Sequence, residues 1–158
     1  MPYTYKIATI NIIGIALHVR LRMLDDYLRQ QDIDIVLLQE VTHTKITSLR
    51  RYNSYVNVST ENRGIAKLAK EELSLTDITR LPSGKGIAVC YKGIRIINIY
   101  APSGAEKRRE REAFYNTEVP TLFRSTPAEI LLAGDFNCVL SHEDSTGQGN
   151  YSRTLENL

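Results

Sequence analysis

The chain has 158 residues, 42% of them hydrophobic, which is the length of one domain with enough apolar content for a packed core and excludes a disordered tail or a short peptide hormone. Lys and Arg number 20 against 18 Asp and Glu, a formal net charge of +2, so the chain is not a protein that holds nucleic acid by bulk charge, and any such binding must come from local patches. The two cysteines, Cys90 and Cys138, sit in apolar runs without metal-ligand spacing, so the expectation is reduced thiols in an intracellular chain, with neither a disulfide nor a zinc site.

Tyr5–Ile12 is short and β-branched and is followed by Gly14, which predicts a first strand ending in a turn. Leu17, Leu21, Leu24 and Leu28 recur at helical spacing, with Arg20, Arg22, Asp25, Asp26 and Arg29 filling the opposite face up to Gln30–Gln31. Ile33–Gln39 has the length and apolarity of a buried strand. Strand, helix, strand is a βαβ-like opening and favours an α/β layered architecture. From Val41 to Pro82 apolar residues are scattered: Tyr52, Asn53, Tyr55, Asn57, Ser59 and Asn62 read as loop or surface, and a short helix is placed near Thr44–Arg51. Ile65–Ala69, interrupted by Lys67 and followed by Lys70, and Leu73–Ile78 are candidate strands.

Ile87–Tyr91 and Ile94–Tyr100 flank Lys92–Gly93 and predict a hairpin. Ala101–Gly104 breaks the second strand, and Ala105–Leu122 follows as a charged helix with Phe114, Val119 and Leu122 as inward anchors. After Pro127, Ile130–Ala133 is a short buried strand that delivers Gly134-Asp135-Phe136-Asn137 at its end. Beyond Leu140 the composition turns polar, and only Leu155 and Leu158 hint at a further helix. No stretch approaches the roughly 18 consecutive apolar residues of a membrane span. Thr4, Lys6, Thr9 and Asn11 break up the N-terminus as a signal core, so neither membrane attachment nor export is expected, and the compartment stays open.

Four polar spots fall at or just past strand ends, where a layered sheet presents side chains to a ligand crevice: Asn11, Gln39–Glu40, Asn98–Tyr100 and Asp135–Asn137. Taken singly, Glu40 reads equally as a solvated carboxylate, Asn11 as a turn residue and Asp135 as an Asx turn. Together they make a chemical set, with Glu40 and Asp135 as hard oxygen ligands and water activators and Asn11 and Asn137 as amide donors to phosphate oxygens. Mg²⁺ suits such a set, because it takes one or two protein carboxylates and completes its octahedron with water and substrate phosphate. His18, His43 and His142 have no mutual ligand spacing, and no Gly-x-Ser-x-Gly elbow occurs.

Asn11, Leu38-Gln39-Glu40, Ile97-Asn98-Ile99-Tyr100-Ala101-Pro102-Ser103-Gly104 and Leu132-Ala133-Gly134-Asp135-Phe136-Asn137 resemble, in order and spacing, the endonuclease/exonuclease/phosphatase superfamily. Within it, the phrasing is most similar to the apurinic-type endonuclease domain of non-LTR (LINE-type) retrotransposon polyproteins. The resemblance implies an α/β (α+β) fold of two packed β-sheets flanked by helices, deoxyribonuclease I-like. It implies Mg²⁺-dependent hydrolysis of a DNA phosphodiester, with Mn²⁺ an alternative ion, and a downstream reverse transcriptase in the full polyprotein. Access to the nucleus follows if the target is genomic DNA. On matching positions Glu40 would hold the metal, Asn11 would help position metal or phosphate, and Tyr100 would contact the scissile phosphate. Asp135 would orient or deprotonate the attacking water, and Asn137 would donate to a phosphate oxygen. Arg63 and Lys92 are candidate contacts to the DNA backbone.

Family members continue past Asn137 into further strands and a Ser-Asp-His motif that this sequence does not supply, and Ile13 stands where they often carry a polar residue. The expectation is a single partial domain over residues 1–158 with weak or no cleavage of its own. The alternatives are a phosphatase or phosphodiesterase of the same superfamily and a non-catalytic retrotransposon remnant.

Overall fold

The computed structural model describes residues 4–13, 18–42, 46, 49–59, 63–123 and 129–139, with the side chains of His18 and Val19 outside that description. Among the described residues, eight strands and two α-helices follow one another as β1 (Ile7–Asn11), α1 (His18–Gln31), β2 (Ile35–Val41), β3 (Tyr52–Val58), β4 (Gly64–Lys70), β5 (Thr76–Arg80), β6 (Gly86–Tyr91), β7 (Ile94–Tyr100), α2 (Arg108–Ala113) and β8 (Glu129–Asp135). They form two four-stranded sheets of order β1-β2-β4-β3 and β5-β6-β7-β8. In each sheet one pair is parallel, β1 with β2 and β7 with β8, and the remaining pairs are antiparallel.

Strand alternation sorts the apolar residues into three layers. Ile35, Leu37 and Ala69 of the first sheet meet Val89 and Ile96 of the second, with Leu73 and Leu75 plugging the space between them. Val36, Leu38, Ala66 and Leu68 point the other way and are covered by Leu24 and Leu28 of α1. Ala88, Ile97 and Ile99 face outward from the second sheet and are covered by Phe114, Tyr115, Val119 and Leu122. Both faces of β2 and β7 are therefore buried, which is why their sequences are nearly unbroken apolar runs. The two-sheet fold flanked by helices expected from the sequence is the fold observed.

Several elements differ from expectation. β3 was not predicted. It lies at the edge of its sheet and pairs only with β4, so its polar residues face solvent without penalty. Asn57 is also put to use there, its Nδ2 donating to Leu81 O at 2.8 Å and Gly86 O at 2.9 Å. Lys67 does not interrupt β4. It is fully buried between the sheets and donates from Nζ to Ile96 O at 2.8 Å. Lys70 reaches Asp32 and Asp34 at 2.7 and 2.8 Å.

The strand placed over Leu73–Ile78 starts later, at Thr76, because Leu73 and Leu75 are core plugs. The helix expected over Ala105–Leu122 is three pieces: α2, a π-type turn over Phe114–Glu118 and a 3₁₀ turn over Val119–Leu122, where Pro120 has no N–H to continue an α-helix. β8 is longer than the short buried strand expected, and Ile130 and Leu131 at its start are 47% and 36% exposed. The helix near Thr44–Arg51 lies largely outside the described residues, as do His43, His142 and everything after Val139.

Candidate active site

The two parallel pairs bring four strand ends to one end of the sandwich. Asn11 is in register with Gln39 across β1 and β2, and Tyr100 with Asp135 across β7 and β8. Across the sandwich the side chains converge: Asn11 Nδ2 donates to Glu40 Oε1 at 2.9 Å and to Asp135 Oδ2 at 3.0 Å. One amide thus bridges two carboxylates that the chain separates by nearly a hundred residues. Asn11 Oδ1 accepts from Ile13 N at 3.0 Å, which fixes the amide's orientation.

Each carboxylate is aimed by a local backbone irregularity. The β2–β4 register shifts between Gln39 and Val41, so Glu40 is the extra residue of a β-bulge, and its φ is 57°. That left-handed conformation costs a non-glycine residue about 1 kcal/mol or more, and it turns Glu40 toward the site while returning Val41 to the face covered by α1. Asp135 follows Gly134, whose φ is 140°, and a Cβ there would overlap the Ile99 carbonyl oxygen. Past Asp135 the chain forms the Asx turn, Asn137 N donating to Asp135 Oδ1 at 3.1 Å. Asn137 Nδ2 donates to Ala101 O at 2.7 Å, which holds the amide beside the end of β7 and uses one of its two protons.

Tyr100 closes the floor. It is 7% exposed, and its phenol is held above the usual tyrosine range first by burial and next by the nearby Glu40 carboxylate, while a hydrogen bond with Ser103 works the other way. It keeps its proton at neutral pH and can donate it. Tyr115, which the sequence reading counted only within a helix, supports the site from behind: its phenol donates to Phe136 O, and burial pushes its pKa up.

Gln39 and Asn98 are brought near the site without joining it. They lie buried beneath it, where Gln39 Nε2 donates to Asn98 Oδ1 at 2.8 Å and to Thr9 Oγ1 at 3.0 Å. Asn98 Nδ2 donates to Leu38 O and Ala66 O at 3.1 Å each, so the pair ties one sheet to the other directly under Glu40 and Tyr100. Arg63 stands at the rim beside Tyr100. Lys92 does not join it. It occupies the β6–β7 turn, roughly 20 Å of strand away from Tyr100, and binds the Tyr5 hydroxyl while lying over the rings of Tyr5 and Tyr91.

The donor set fits a hard divalent cation of the Mg²⁺ type. Two carboxylates converge, and no hydrogen bond among the described residues engages Glu40 Oε2. Among the described residues there is no cluster of three His, Cys, Asp or Glu that would suit a zinc site, and Mg²⁺ requires none.

The comparisons agree with this architecture. The fold resembles an AP endonuclease from Archaeoglobus fulgidus with a TM-score of 0.77 at 20% identity, covering 98% of this chain and 68% of that one. It resembles the 3′ phosphatase NExo from Neisseria, solved with a product DNA hairpin, with a TM-score of 0.73 at 22% identity, covering 89% of this chain and 61% of that one. For a humanized Danio rerio TDP2 the TM-score is 0.68 at 16% identity, covering 84% of this chain and 62% of that one. No curated protein matches the sequence significantly. The Endonuclease/Exonuclease/phosphatase family matches residues 9–155, nearly the whole sequence, and the chain belongs to that family.

Proposed function

We propose that this chain hydrolyses phosphodiesters of DNA with Mg²⁺ or Mn²⁺, as the nicking endonuclease of a non-LTR retrotransposon does at its target site. The observation that carries the reading is the Asn11 amide held between Glu40 and Asp135, with the phenol of Tyr100 near enough to feel both carboxylates. Glu40, through Oε2, and Asp135 would hold the ion, with Asn11 orienting both. The ion would supply positive charge to the phosphate oxygens.

Asp135 receives hydrogen bonds on each oxygen, from Asn137 N and Asn11 Nδ2, so its remaining lone pairs are fixed in direction. One of them takes the proton of the attacking water as the water oxygen bonds to phosphorus, and the ester oxygen that leaves takes a proton from solvent. Tyr100 and Asn137 donate to the non-bridging oxygens, whose negative charge grows as the bond forms. The retrotransposon setting, the reverse transcriptase as partner and nuclear access rest on the phrasing of Asn98–Gly104 and Gly134–Leu140 alone.

The test is nicking of supercoiled plasmid at low salt by the wild-type chain, Glu40→Gln and Asp135→Asn. Relaxation that is lost in EDTA and reduced about 10²–10⁴-fold in both variants, with unfolding transitions retained, is the expected result. Activity indifferent to EDTA or to either substitution, or none from the folded wild-type chain, overturns the reading. Hydrolysis of a phosphate monoester but not of plasmid moves the substrate to the phosphatase side of the family.

A further inference from the structure

Beside the carboxylates lies a hollow of opposite charge. A cavity of about 280 Å³ opens next to Tyr100 and is lined by Ser59, Arg63, Lys85, Ser103 and Lys107. The three cations come from separate segments: Arg63 precedes β4, Lys85 precedes β6 and Lys107 precedes α2. Hydrogen bonds hold the main chain of two of these residues. Arg63 O accepts from Ser59 N at 3.1 Å and from Ser59 Oγ at 2.9 Å, and Lys85 O accepts from Tyr100 N at 2.9 Å.

Among the described residues a single carboxylate, Glu110, forms ion pairs with these cations, lying 2.8 Å from Lys85 and 3.9 Å from Lys107. Lys85 and Lys107 thus share one negative partner, and among the described residues no ion pair engages Arg63. Tyr100 lines the hollow and also feels the carboxylates, since Glu40 and Asp135 raise its pKa while Ser103 and Arg63 lower it.

Lysine ammonium groups and an arginine fork make a polar, cationic cradle with the chemistry of a phosphate site. A nucleic-acid strand carries a charge for every ~3.4 Å of helix axis, so a strand with one phosphate at the carboxylates must carry its neighbour past an adjoining surface. We infer that the Arg63–Lys85–Lys107 hollow is a second phosphate subsite, which grips the strand phosphate next to the one that is cleaved. The inference rests on the reading of the carboxylate site as a phosphodiester-cleaving centre, and it accounts for how a chain of nearly balanced charge would hold a polyanion in register.

Its test separates binding from cleavage. Binding of a fluorescein-labelled 15-base-pair DNA duplex is followed by anisotropy in EDTA over a range of salt concentrations, for wild type, the Lys85→Ala/Lys107→Ala double variant and Glu110→Gln. The double variant is expected to bind about tenfold more weakly, with a log K against log salt slope shallower by about 1–2. Glu110→Gln frees both lysines and is expected to tighten binding about two- to fivefold, whereas a purely structural ion pair would give no gain. In a parallel assay with Mg²⁺, the double variant is expected to lose about tenfold in kcat/KM on the duplex and less than about twofold on bis(p-nitrophenyl) phosphate, which has no second phosphate.

Unchanged affinity and slope in the double variant, weaker binding in Glu110→Gln, or no binding by the wild type overturns the subsite. Altered binding without cleavage of any substrate leaves the subsite standing and removes the catalytic reading. Cleavage with unaltered binding does the reverse.

Discussion

Lys67 places a titratable amine inside the core. It lies on the inner face of β4, fully buried between the sheets, and of the three protons on its ammonium one reaches Ile96 O at 2.8 Å. Burial, reinforced by Arg95, lowers its pKa from the usual 10.5 to about 7. In the unfolded chain the same group stays protonated up to about pH 10.4. Between those values the unfolded state binds the extra proton, so this group makes stability rise with pH, by up to about 1.4 kcal/mol per pH unit. Below pH 7 both states are charged and the full cost, on the order of 5 kcal/mol, is present.

Lys67→Met keeps the side-chain length and removes the charge. It is expected to stabilise the protein by several kcal/mol at pH 6–7, an advantage that narrows by about 2–3 kcal/mol by pH 9. Urea unfolding of both proteins at pH 6, 7, 8 and 9 and constant ionic strength measures this, because every titration that the two share cancels in the difference. A gap that does not narrow with pH, or a variant less stable than wild type at pH 7, would refute the argument.

Gly134→Ala is expected to cost more than about 3 kcal/mol in denaturant unfolding, because it combines a forbidden φ with overlap of the Ile99 carbonyl, and to displace Asp135 so that the nicking proposed above falls even where the fold survives. Asn98→Leu leaves the Gln39 amide and the carbonyls of Leu38 and Ala66 without their partner inside the sandwich, and a loss of about 2–5 kcal/mol is expected in the same assay. Ile13 is β-branched, 71% exposed and has φ of 44°, so Ile13→Asn or Ile13→Gly is expected to raise stability by about 1 kcal/mol, read as a higher unfolding midpoint.

What could be read in the sequence follows from how strongly each element is constrained. β2 and β7 are covered on both faces and had to be written as apolar runs, and the Lys92–Gly93 turn between β6 and β7 is a local signal. The polar residues after those runs could be recognised as strand-end positions for the same reason. β3 could not be read, since an edge strand with a solvent face places few demands on composition, and its pairing with β4 is a tertiary fact.

Lys67 looked like an interruption because a sequence carries no record of depth. The sharpest features of the site are also invisible in one dimension. The bulge at Glu40 depends on how β4 lines up against β2, and the hydrogen bond from Asn11 to Asp135 depends on two sheets docking. Tyr115 had a signal in its place within the helix-forming stretch, but only the π-type turn at Phe114–Glu118 carries its phenol to Phe136. Lys92 had the right chemistry for a DNA contact and stands at the other end of the strand.

The Asn11–Asp135 hydrogen bond joins residues 124 positions apart, and this has a consequence for the order in which the protein comes into being. Contacts of such separation close late, since the loop entropy must be met before the contact rewards it, and topologies rich in them fold in milliseconds to seconds. During synthesis, at roughly 5–20 residues per second, a nascent chain presents Glu40 several seconds before Asp135 has been made. The carboxylate pair therefore cannot assemble on a growing chain. A ribosome that stalls in the first hundred residues leaves a product with half a site, so the paired carboxylates are tied to translation having passed β8.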